Sequence, residues 1–272
     1  MKEIQRRPIG VFDSGVGGLT VLREFYRQLP EESILYFGDT ARLPYGTRTP
    51  EEILQFVREI LHWMTAQQVK MLVMACNTSS ALALETVQRE CELPVLGLIL
   101  PGARAAVRAG RRIGVIATPA TAASNAYRQA ILEVDAGVRV WQVGCPEFVP
   151  LIESDRIDTP DTRKVARRYL QPLIERKIDT LVYGCTHYPH LEPILRELLP
   201  TSVGLVDPAR SLVRAADREL QLMGLKNLET EVASKTRFCV SGSPQKFARL
   251  SRSWLGRTPV VEKVYLEAVS IT

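Results

Sequence analysis

Two cysteines stand where this sequence could carry out acid–base or nucleophilic chemistry. Cys76 ends a short apolar run and begins the stretch Cys-Asn-Thr-Ser, and Cys185 ends another and begins the stretch Cys-Thr-His-Tyr-Pro. A thiolate is both a base and a nucleophile, and a histidine two residues away, His187, can share its proton. Two thiols that face one cleft could remove a proton from one side of a substrate carbon and deliver a proton to the other side.

Other interpretations of these cysteines are open at this point. A hydrolase would need only one cysteine with its histidine and would form a covalent intermediate, and a buried cysteine is often a small packing residue. If a helix begins directly after Cys76, its partial positive charge should lower the pKa of the thiol. His62 lies in a helical pattern and His190 follows a proline, so neither is expected to be a catalyst.

The remaining cysteines, Cys91, Cys145 and Cys239, are expected to be structural. The 5 cysteines of the chain are widely spaced, and no C-x-x-C pair occurs. Neither a zinc site nor a disulfide framework is therefore predicted, and we expect no bound metal.

A glycine-rich motif, Asp13-Ser14-Gly15-Val16-Gly17-Gly18, follows an apolar run and precedes a helical pattern. Its glycines allow close approach of a ligand, and free N–H groups at a helix start favour an anion. It lacks the spacing of the dinucleotide fingerprint and the lysine of a P-loop, so no nucleotide cofactor is predicted. Asp13 ends a predicted strand, where α/β sheets place functional groups. The alternative is a tight turn in which Asp13 or Ser14 caps the helix.

The composition is that of a globular protein. The chain has 272 residues, of which 46% are hydrophobic and 24% charged; this excludes a disordered chain, and the length predicts about two domains. The net charge is +5, but Lys and Arg are scattered, so a nucleic-acid partner is not expected. The longest uncharged run, 113–127, is too short for a membrane helix, and no signal-peptide pattern follows the polar N-terminus. We therefore expect a cytoplasmic protein without a membrane partner.

Short apolar runs alternate with helical patterns along most of the chain. This alternation predicts an α/β fold with mainly parallel sheets. The predicted strands are 9–12, 34–37, 71–75, 95–98, 113–117, 138–143, 180–183, 203–206, 236–240 and 260–264. The clearest predicted helices are 18–28, 50–67, 159–176 and 208–223.

A weak internal repeat indicates two similar halves. The stretch Ile-Gly-Val-Phe at 9–12 resembles Ile-Gly-Val-Ile at 113–116. The apolar run before Cys76 resembles the run before Cys185 at nearly the same separation along the chain. Two matches at one separation favour duplication over chance.

From this repeat we predict two similar α/β domains related by a pseudo-twofold axis, with the active site in the cleft between them. The first domain is predicted to be discontinuous, 1–97 with 208–272, and the second to be 98–207. No glycine- or serine-rich linker separates them, so the domains should lie close together.

Four motifs resemble the glutamate racemases of the aspartate/glutamate racemase family. They follow the family's order and spacing and extend over most of the chain, with shorter matches at 116–118 and 150–153. The motifs are Ile9-Gly10-Val11-Phe12-Asp13-Ser14-Gly15-Val16-Gly17-Gly18-Leu19-Thr20-Val21, Tyr36-Phe37-Gly38-Asp39-Thr40-Ala41-Arg42-Leu43-Pro44-Tyr45-Gly46, Ala75-Cys76-Asn77-Thr78 and Gly184-Cys185-Thr186-His187-Tyr188.

The resemblance implies an isomerase that interconverts L- and D-glutamate without a cofactor and supplies D-glutamate for peptidoglycan, and hence for cell-wall biogenesis and cell shape. It implies that Cys185 acts on L-glutamate and Cys76 on D-glutamate. It also implies that Asp13, Glu153 and His187 assist proton transfer. The residues implied to hold the substrate are Asp13, Ser14, Pro44, Tyr45, Gly46, Asn77, Thr78, Thr118, Thr121, Thr186 and His187.

Three alternatives stand beside this function. The chain could be an aspartate racemase or another two-thiol racemase of the same family, a cysteine-dependent hydrolase, or an amino-acid-binding protein without catalysis. The expected partner is the small molecule glutamate. The resemblance also implies a homodimer.

Overall fold

Two parallel β-sheets flanked by helices make up the fold. The protein is described here by a computed structural model that covers residues 2–228 and 235–268. Its strands are β1 (Ile9–Asp13), β2 (Ile34–Gly38), β3 (Met71–Met74), β4 (Val95–Gly97), β5 (Arg112–Ala117), β6 (Arg139–Gly144), β7 (Thr180–Gly184), β8 (Gly204–Val206), β9 (Thr236–Val240) and β10 (Val261–Lys263). All ten predicted strands are present, with ends that differ from the prediction by at most about one residue.

Helices connect most successive strands, as parallel sheets require. The α-helices of the described residues are α1 (Lys2–Arg6), α2 (Leu19–Gln28), α3 (Pro50–Ala66), α4 (Asn77–Leu82), α5 (Leu84–Glu90), α6 (Ile99–Ala109), α7 (Pro119–Ala123), α8 (Ala126–Val134), α9 (Phe148–Glu153), α10 (Pro160–Glu175), α11 (Glu192–Leu198), α12 (Pro208–Leu222) and α13 (Pro244–Leu255). Short 3-10 helices occur at Tyr45–Thr47 and Tyr188–Leu191.

The two sheets repeat one topology. The first has the strand order β10-β9-β2-β1-β3-β4 and the second β6-β5-β7-β8. The order β2-β1-β3-β4 therefore matches β6-β5-β7-β8 strand for strand, and every described strand pair is parallel. The predicted α/β class and the two similar halves are confirmed, and the two sequence repeats fall on β1 with β5 and on β3 with β7.

The late strands β9 and β10 extend the first sheet beyond β2. Helix α12, which precedes them, packs against α2 of the first half and α6 of the second. The division of the chain into 1–97 with 208–272 and 98–207 stays our proposal, as does the pseudo-twofold axis. The ends of that division, residue 1 and residues 269–272, and the stretch 229–234 lie outside the described residues.

The halves share one hydrophobic cluster. It joins Val11 and Tyr36 of the first sheet to Leu181 of the second and to Phe148 of α9 and Leu212 of α12. The central strands β1, β3 and β7 are buried along their whole length, which explains why they appear in the sequence as continuous apolar runs. No helix of the described residues is long and apolar enough to cross a membrane.

Candidate active site

The carboxyl ends of the central strands bring the predicted residues together. Asp13 is the last residue of β1, Cys76 lies two residues beyond β3, Thr118 directly follows β5 and Cys185 directly follows β7. Because β1 and β3 are equivalent to β5 and β7, the two cysteines occupy matching places in the two halves. Parallel sheets place functional groups at this edge.

Cys76 lies buried at the start of α4. Its Sγ is 3.9 Å from Ser14 Oγ, and the Ser79 side chain turns back to the Cys76 carbonyl. Burial and then the charge of Asp13 raise the pKa of the Cys76 thiol to about 12, although hydrogen bonds with Ser79 act in the opposite direction. The helix that follows lowers this pKa through the Ser79 N–H, as expected, but a helix of six residues does not offset burial beside a carboxylate, so the net pKa is raised.

Cys185 heads a chain of three polar side chains. Its Sγ lies 3.7 Å from His187 Nδ1, and His187 Nε2 lies 3.2 Å from Oε1 of Glu153, the last residue of α9. Burial alone would lower the pKa of His187, but its hydrogen bonds to Cys185 and Glu153 outweigh burial and raise it to about 10. The same imidazole holds the pKa of Glu153 below its usual value, against the effect of burial. At neutral pH the pair is therefore imidazolium and carboxylate.

The glycine motif begins with Asp13, whose carboxyl interacts electrostatically with Cys76 and with His187, the neighbour of Cys185. Asp13 is fully buried, and its Oδ2 accepts the Gly15 N–H at 2.9 Å. Burial raises its pKa, while the charge of His187 acts against that rise. Asp13 Oδ1 has no hydrogen-bond partner among the described residues. A buried acceptor without a donor is costly unless a ligand supplies one.

The same motif also contacts the second half. A Cβ at Gly17 would lie less than 3.0 Å from His187 Nδ1 and from Thr186 Oγ1, so only glycine allows this approach. The Thr20 hydroxyl of α2 reaches the Thr186 carbonyl at 3.3 Å. Helix α2 begins after Gly18 with no side-chain cap, so the alternative that Asp13 or Ser14 serves only as its cap is wrong.

Three threonine hydroxyls meet across the cleft. Thr78 Oγ1 of α4 lies 3.0 Å from Thr118 Oγ1 and 3.1 Å from Thr121 Oγ1. The last two are 2.9 Å apart. All three side chains are buried, so this set of hydroxyls, which we call the threonine triad, joins the first half to the second with groups able to face a carboxylate.

A loop after β2 forms another wall of the cleft. Leu43 and Pro44 are joined by a cis peptide bond, and the next residue, Tyr45, donates its hydroxyl to the buried carboxylate of Asp39. Asp39 also accepts the Ser241 hydroxyl at 2.7 Å. A Cβ at Gly46 would lie 2.9 Å from Thr118 Cβ, so this loop packs directly on the threonine triad.

These contacts bring most of the predicted site residues into one region, and Gly46 packs against Thr118. Pro44 precedes Tyr45 in the same loop, and Asn77 Oδ1 accepts a hydrogen bond from the Tyr127 hydroxyl. Their roles in substrate binding and catalysis stay predictions.

Of the other cysteines, Cys91 follows α5 and Cys239 lies within β9. Cys145 directly follows β6, at the same sheet edge as Cys185, and the charge of Cys185 acts on it. His62 is exposed on α3, as expected for a residue without a catalytic role.

Some neighbours of the site carried no distinct signal in the sequence. Trp254 of α13 meets the His187 ring edge to face, with the ring centroids 5.4 Å apart, and its centroid lies 3.8 Å from that of the His190 ring, which is tilted by 44°. Burial lowers the pKa of His190 to about 4, so it is neutral. Lys246 of α13 contributes a positive charge near Glu153. These contacts join residues far apart in the chain, which no local pattern marks.

Comparison with known proteins decides the family. The family model described as Asp/Glu/Hydantoin racemase matches residues 9–216. The chain belongs to this racemase family. It is 69% identical to a protein named glutamate racemase from Gloeothece citriformis, over 98% of this chain and 95% of that protein. It is 67% identical to another of that name from Synechocystis sp., over 99% of this chain and 96% of that protein.

Solved racemases share the fold. A glutamate racemase isoform from Bacillus anthracis superposes with a TM-score of 0.92 at 40% identity, covering 96% of this chain and 98% of that one. A glutamate racemase from Francisella tularensis, solved in complex with D-glutamate, gives 0.90 at 35% identity with the same coverage. An aspartate racemase from Picrophilus torridus gives only 0.54 at 18% identity, over 83% of this chain and 97% of that one, and shares the fold alone. The chain is an enzyme, an amino-acid racemase.

The racemase site offers thiols, carboxylates, an imidazole and hydroxyls. Within residues 2–228 and 235–268, no group of three or more His, Cys, Asp or Glu side chains is arranged to hold a metal ion. That the reaction needs no cofactor stays a prediction.

Proposed function

We propose that this racemase interconverts L- and D-glutamate by proton transfer at Cα, with Cys76 and Cys185 as the two bases. The observation that carries this proposal is the placement of the two thiols. They follow equivalent strands of two like halves, both are buried, and the charge of Cys185 acts on Cys76. Two-base racemisation by thiols requires this arrangement, whereas a cysteine hydrolase would use only the Cys185–His187 pair.

The choice of glutamate rests on the relatives and on the polar walls of the cleft. Proteins 69% and 67% identical to this chain are named glutamate racemases, and the Francisella tularensis structure holds D-glutamate. Glutamate carries two carboxylates and one ammonium. The threonine triad and the Asn77 amide supply neutral donors for the former, and the unpartnered Asp13 Oδ1 supplies an acceptor for the latter.

The reaction proceeds in two proton transfers. From L-glutamate, a thiolate at Cys185 takes the Cα hydrogen as a proton, and the electron pair of the broken C–H bond stays on Cα. The Cys76 thiol then gives its proton to the opposite face, which forms D-glutamate and leaves a thiolate at Cys76. The reverse reaction exchanges the two roles. Proton exchange with solvent returns the thiols to their starting states.

Each thiol has a partner suited to this task. The His187 imidazolium beside Cys185 offers a positive charge to a thiolate and is itself held by Glu153. Because the pKa of Cys76 is about 12, its thiol stays protonated and ready to donate. The charge of Asp13 raises the pKa of Cys76 and so favours the proton-donating thiol; when Cys76 must work as the base, Asp13 assists by accepting its proton.

The carbanion-like transition state needs electrostatic stabilisation. The Cα proton is a very weak acid, and the buried site offers fixed donors and little water, which together favour developing charge. Both cysteines are nearly inaccessible to solvent, with 5% of Cys76 and 6% of Cys185 exposed. In the cell, the product D-glutamate would serve peptidoglycan synthesis.

The experiment that tests this proposal follows deuterium into each enantiomer. Purified enzyme is incubated with L-glutamate in D₂O without added cofactor, and the early product and the unreacted substrate are separated and analysed by mass. We expect D-glutamate with deuterium at Cα and L-glutamate with little, because each thiol exchanges its proton with solvent. Starting from D-glutamate, the labels should be reversed.

Three outcomes would reject the proposal. Product that keeps the hydrogen of the substrate would show one base acting on both faces. Exchange and racemisation of aspartate in preference to glutamate would assign the two-thiol chemistry to another substrate, and hydrolysis without Cα exchange would assign the site to the Cys185–His187 pair alone.

A further inference from the structure

The Asn77 side chain is buried, and only one of its two polar atoms has a hydrogen-bond partner among the described residues. Asn77 is the first residue of α4, directly after Cys76, and only 2% of it is exposed. Its Oδ1 accepts a hydrogen bond of 2.7 Å from the hydroxyl of Tyr127. Its Nδ2 has no partner among the described residues. A buried amide donor without an acceptor costs free energy, which a ligand that accepts its hydrogen bond would remove.

We propose that Tyr127 is a positioning residue of this racemase, which holds the Asn77 amide so that its N–H group meets a carboxylate oxygen of glutamate. This inference rests on the function proposed above. A planar amide has its oxygen and nitrogen on opposite sides, so a donor fixed on the oxygen determines where the nitrogen lies. Without that donor, the amide could turn its oxygen toward the substrate carboxylate and repel it.

Tyr127 is itself firmly placed. Its side chain is fully buried in α8, in a hydrophobic cluster with Ile99 and Ile131. Its ring lies close to Gly102 of α6, where an added Cβ would be 3.1 Å from Tyr127 Cε1. Burial, and then the charges of Asp207 and Cys185, raise the pKa of Tyr127 well above its usual value, so the hydroxyl remains a donor.

The contact also crosses the cleft. Tyr127 belongs to the second half and Asn77 to the first, and the next residue, Thr78, is bonded across the cleft to Thr118 and Thr121. The two residues that follow Cys76 in the chain are thus held by hydrogen bonds to the opposite half. Because the Tyr127 hydroxyl donates to Asn77 and an amide is neither an acid nor a base at neutral pH, we expect their effect on substrate binding rather than on the chemical step.

The test is Tyr127→Phe, which removes only the hydroxyl. We expect KM for both L- and D-glutamate to rise roughly tenfold, the effect of one hydrogen bond, with kcat changed less than about threefold. Tyr169→Phe is the control, since it removes a partly buried hydroxyl that donates to Glu147 at 2.7 Å in the same half. That control should keep the KM of the wild-type enzyme.

A double-variant cycle separates positioning from packing. Asn77→Ser should raise KM, and Tyr127→Phe added to it should raise KM little further, because Tyr127 acts through Asn77. Additive effects, or a Tyr127→Phe variant with a lower melting temperature and unchanged KM, would overturn the inference. A wild-type enzyme that does not racemise glutamate would instead overturn the proposed function.

Asn77→Asp tests the substrate contact that the inference requires, even if Tyr127→Phe fails to fold. It keeps an oxygen for the Tyr127 hydroxyl and replaces the N–H group with a second oxygen. We expect KM to rise more than tenfold, since a negative charge would then face a carboxylate. An unchanged KM would show that the amide nitrogen does not meet the substrate.

Discussion

The two thiols hold equivalent places in the fold and have different surroundings. Cys76 follows β3 and lies near the buried carboxyl of Asp13 and the hydroxyl of Ser14, with no histidine in contact among the described residues. Cys185 follows β7 and has the His187–Glu153 pair beside it. One thiol is therefore paired with an acidic group and the other with a cationic one.

This difference shows which part of the chemistry the fold provides and which part the side chains provide. The repeated strand order places both thiols at one edge and needs only apolar strands and short connections. The acid–base character of each thiol depends on residues that the repeat does not share, such as His187 in the second half, where the first half has Thr78 at the corresponding position two residues after the cysteine. The two halves therefore share a strand arrangement but place different proton-transfer partners beside their thiols.

The largest expected effect comes from removing either thiol. Cys76→Ala and Cys185→Ala should each lower racemisation roughly 10²–10⁴-fold, because each variant lacks a positioned acid–base group on one face. Circular dichroism of the amino acid follows both directions. Any residual exchange of the Cα hydrogen in D₂O should occur with L-glutamate in Cys76→Ala and with D-glutamate in Cys185→Ala.

Cys91→Ala is the control for these variants, since Cys91 lies partly buried at the end of α5, outside the cleft. It should retain normal activity. Near-normal racemisation by Cys76→Ala would show that Cys76 is not needed as a second base, and the two thiols would then not be comparable in function.

A smaller effect is expected from the partners of Cys185. His187→Asn should lower kcat/KM roughly 10²-fold, and Glu153→Gln less, since Glu153 acts through His187. The equilibrium constant between enantiomers is unity, so kcat/KM must fall equally in both directions. The asymmetry should therefore appear as a larger fall of kcat and KM together for L-glutamate, the enantiomer assigned to Cys185.

Initial rates from each enantiomer measure this asymmetry, with His62→Asn on the exposed face of α3 as the control. If kcat fell equally in both directions, with KM unchanged for both variants, His187 and Glu153 would not serve one face of the cleft.

Much of the fold was predictable because its elements are local. Parallel strands buried on both faces appear as apolar runs such as 180–183, and all ten were found. The two halves were predictable because β1 and β5 keep nearly the same residues. The placement of Asp13 and both cysteines followed from a general rule, since functional groups gather at the carboxyl ends of parallel strands.

The protonation states and the supporting residues were not predictable. The pKa of Cys76 rises because burial and Asp13 outweigh the short helix that follows it, and burial cannot be inferred from neighbours in sequence. Tyr127 lies in the uncharged run 113–127, which shows nothing beyond its length and polarity. Its contact with Asn77 exists only after the two halves have packed together.

The smallest expected effect concerns stability against pH and again contrasts the two sides of the cleft. The pKa of His187 is about 10 in the folded chain, against an ordinary 6.5. Its contribution to the free energy of unfolding is therefore complete below pH 6.5 and is lost as pH rises through 10. The slope is at most about 1.4 kcal/mol per pH unit for one proton. On the other side, the buried Cys76 thiol costs stability only above its ordinary range near pH 9.

Between pH 6.5 and 8.5, the change in stability expected from His187 does not overlap with that of the thiols, which begins at higher pH. It does not overlap with that of Asp207 either, whose raised pKa of about 6 lies below this interval. We expect denaturant unfolding of the wild-type chain to show stability declining across this interval. His187→Asn should flatten that decline, whereas Cys76→Ala should leave it in place. A decline of the same slope in the wild type and in His187→Asn would mean that the imidazolium is not held by Cys185 and Glu153, and the two sides of the cleft would then differ less than their contacts indicate.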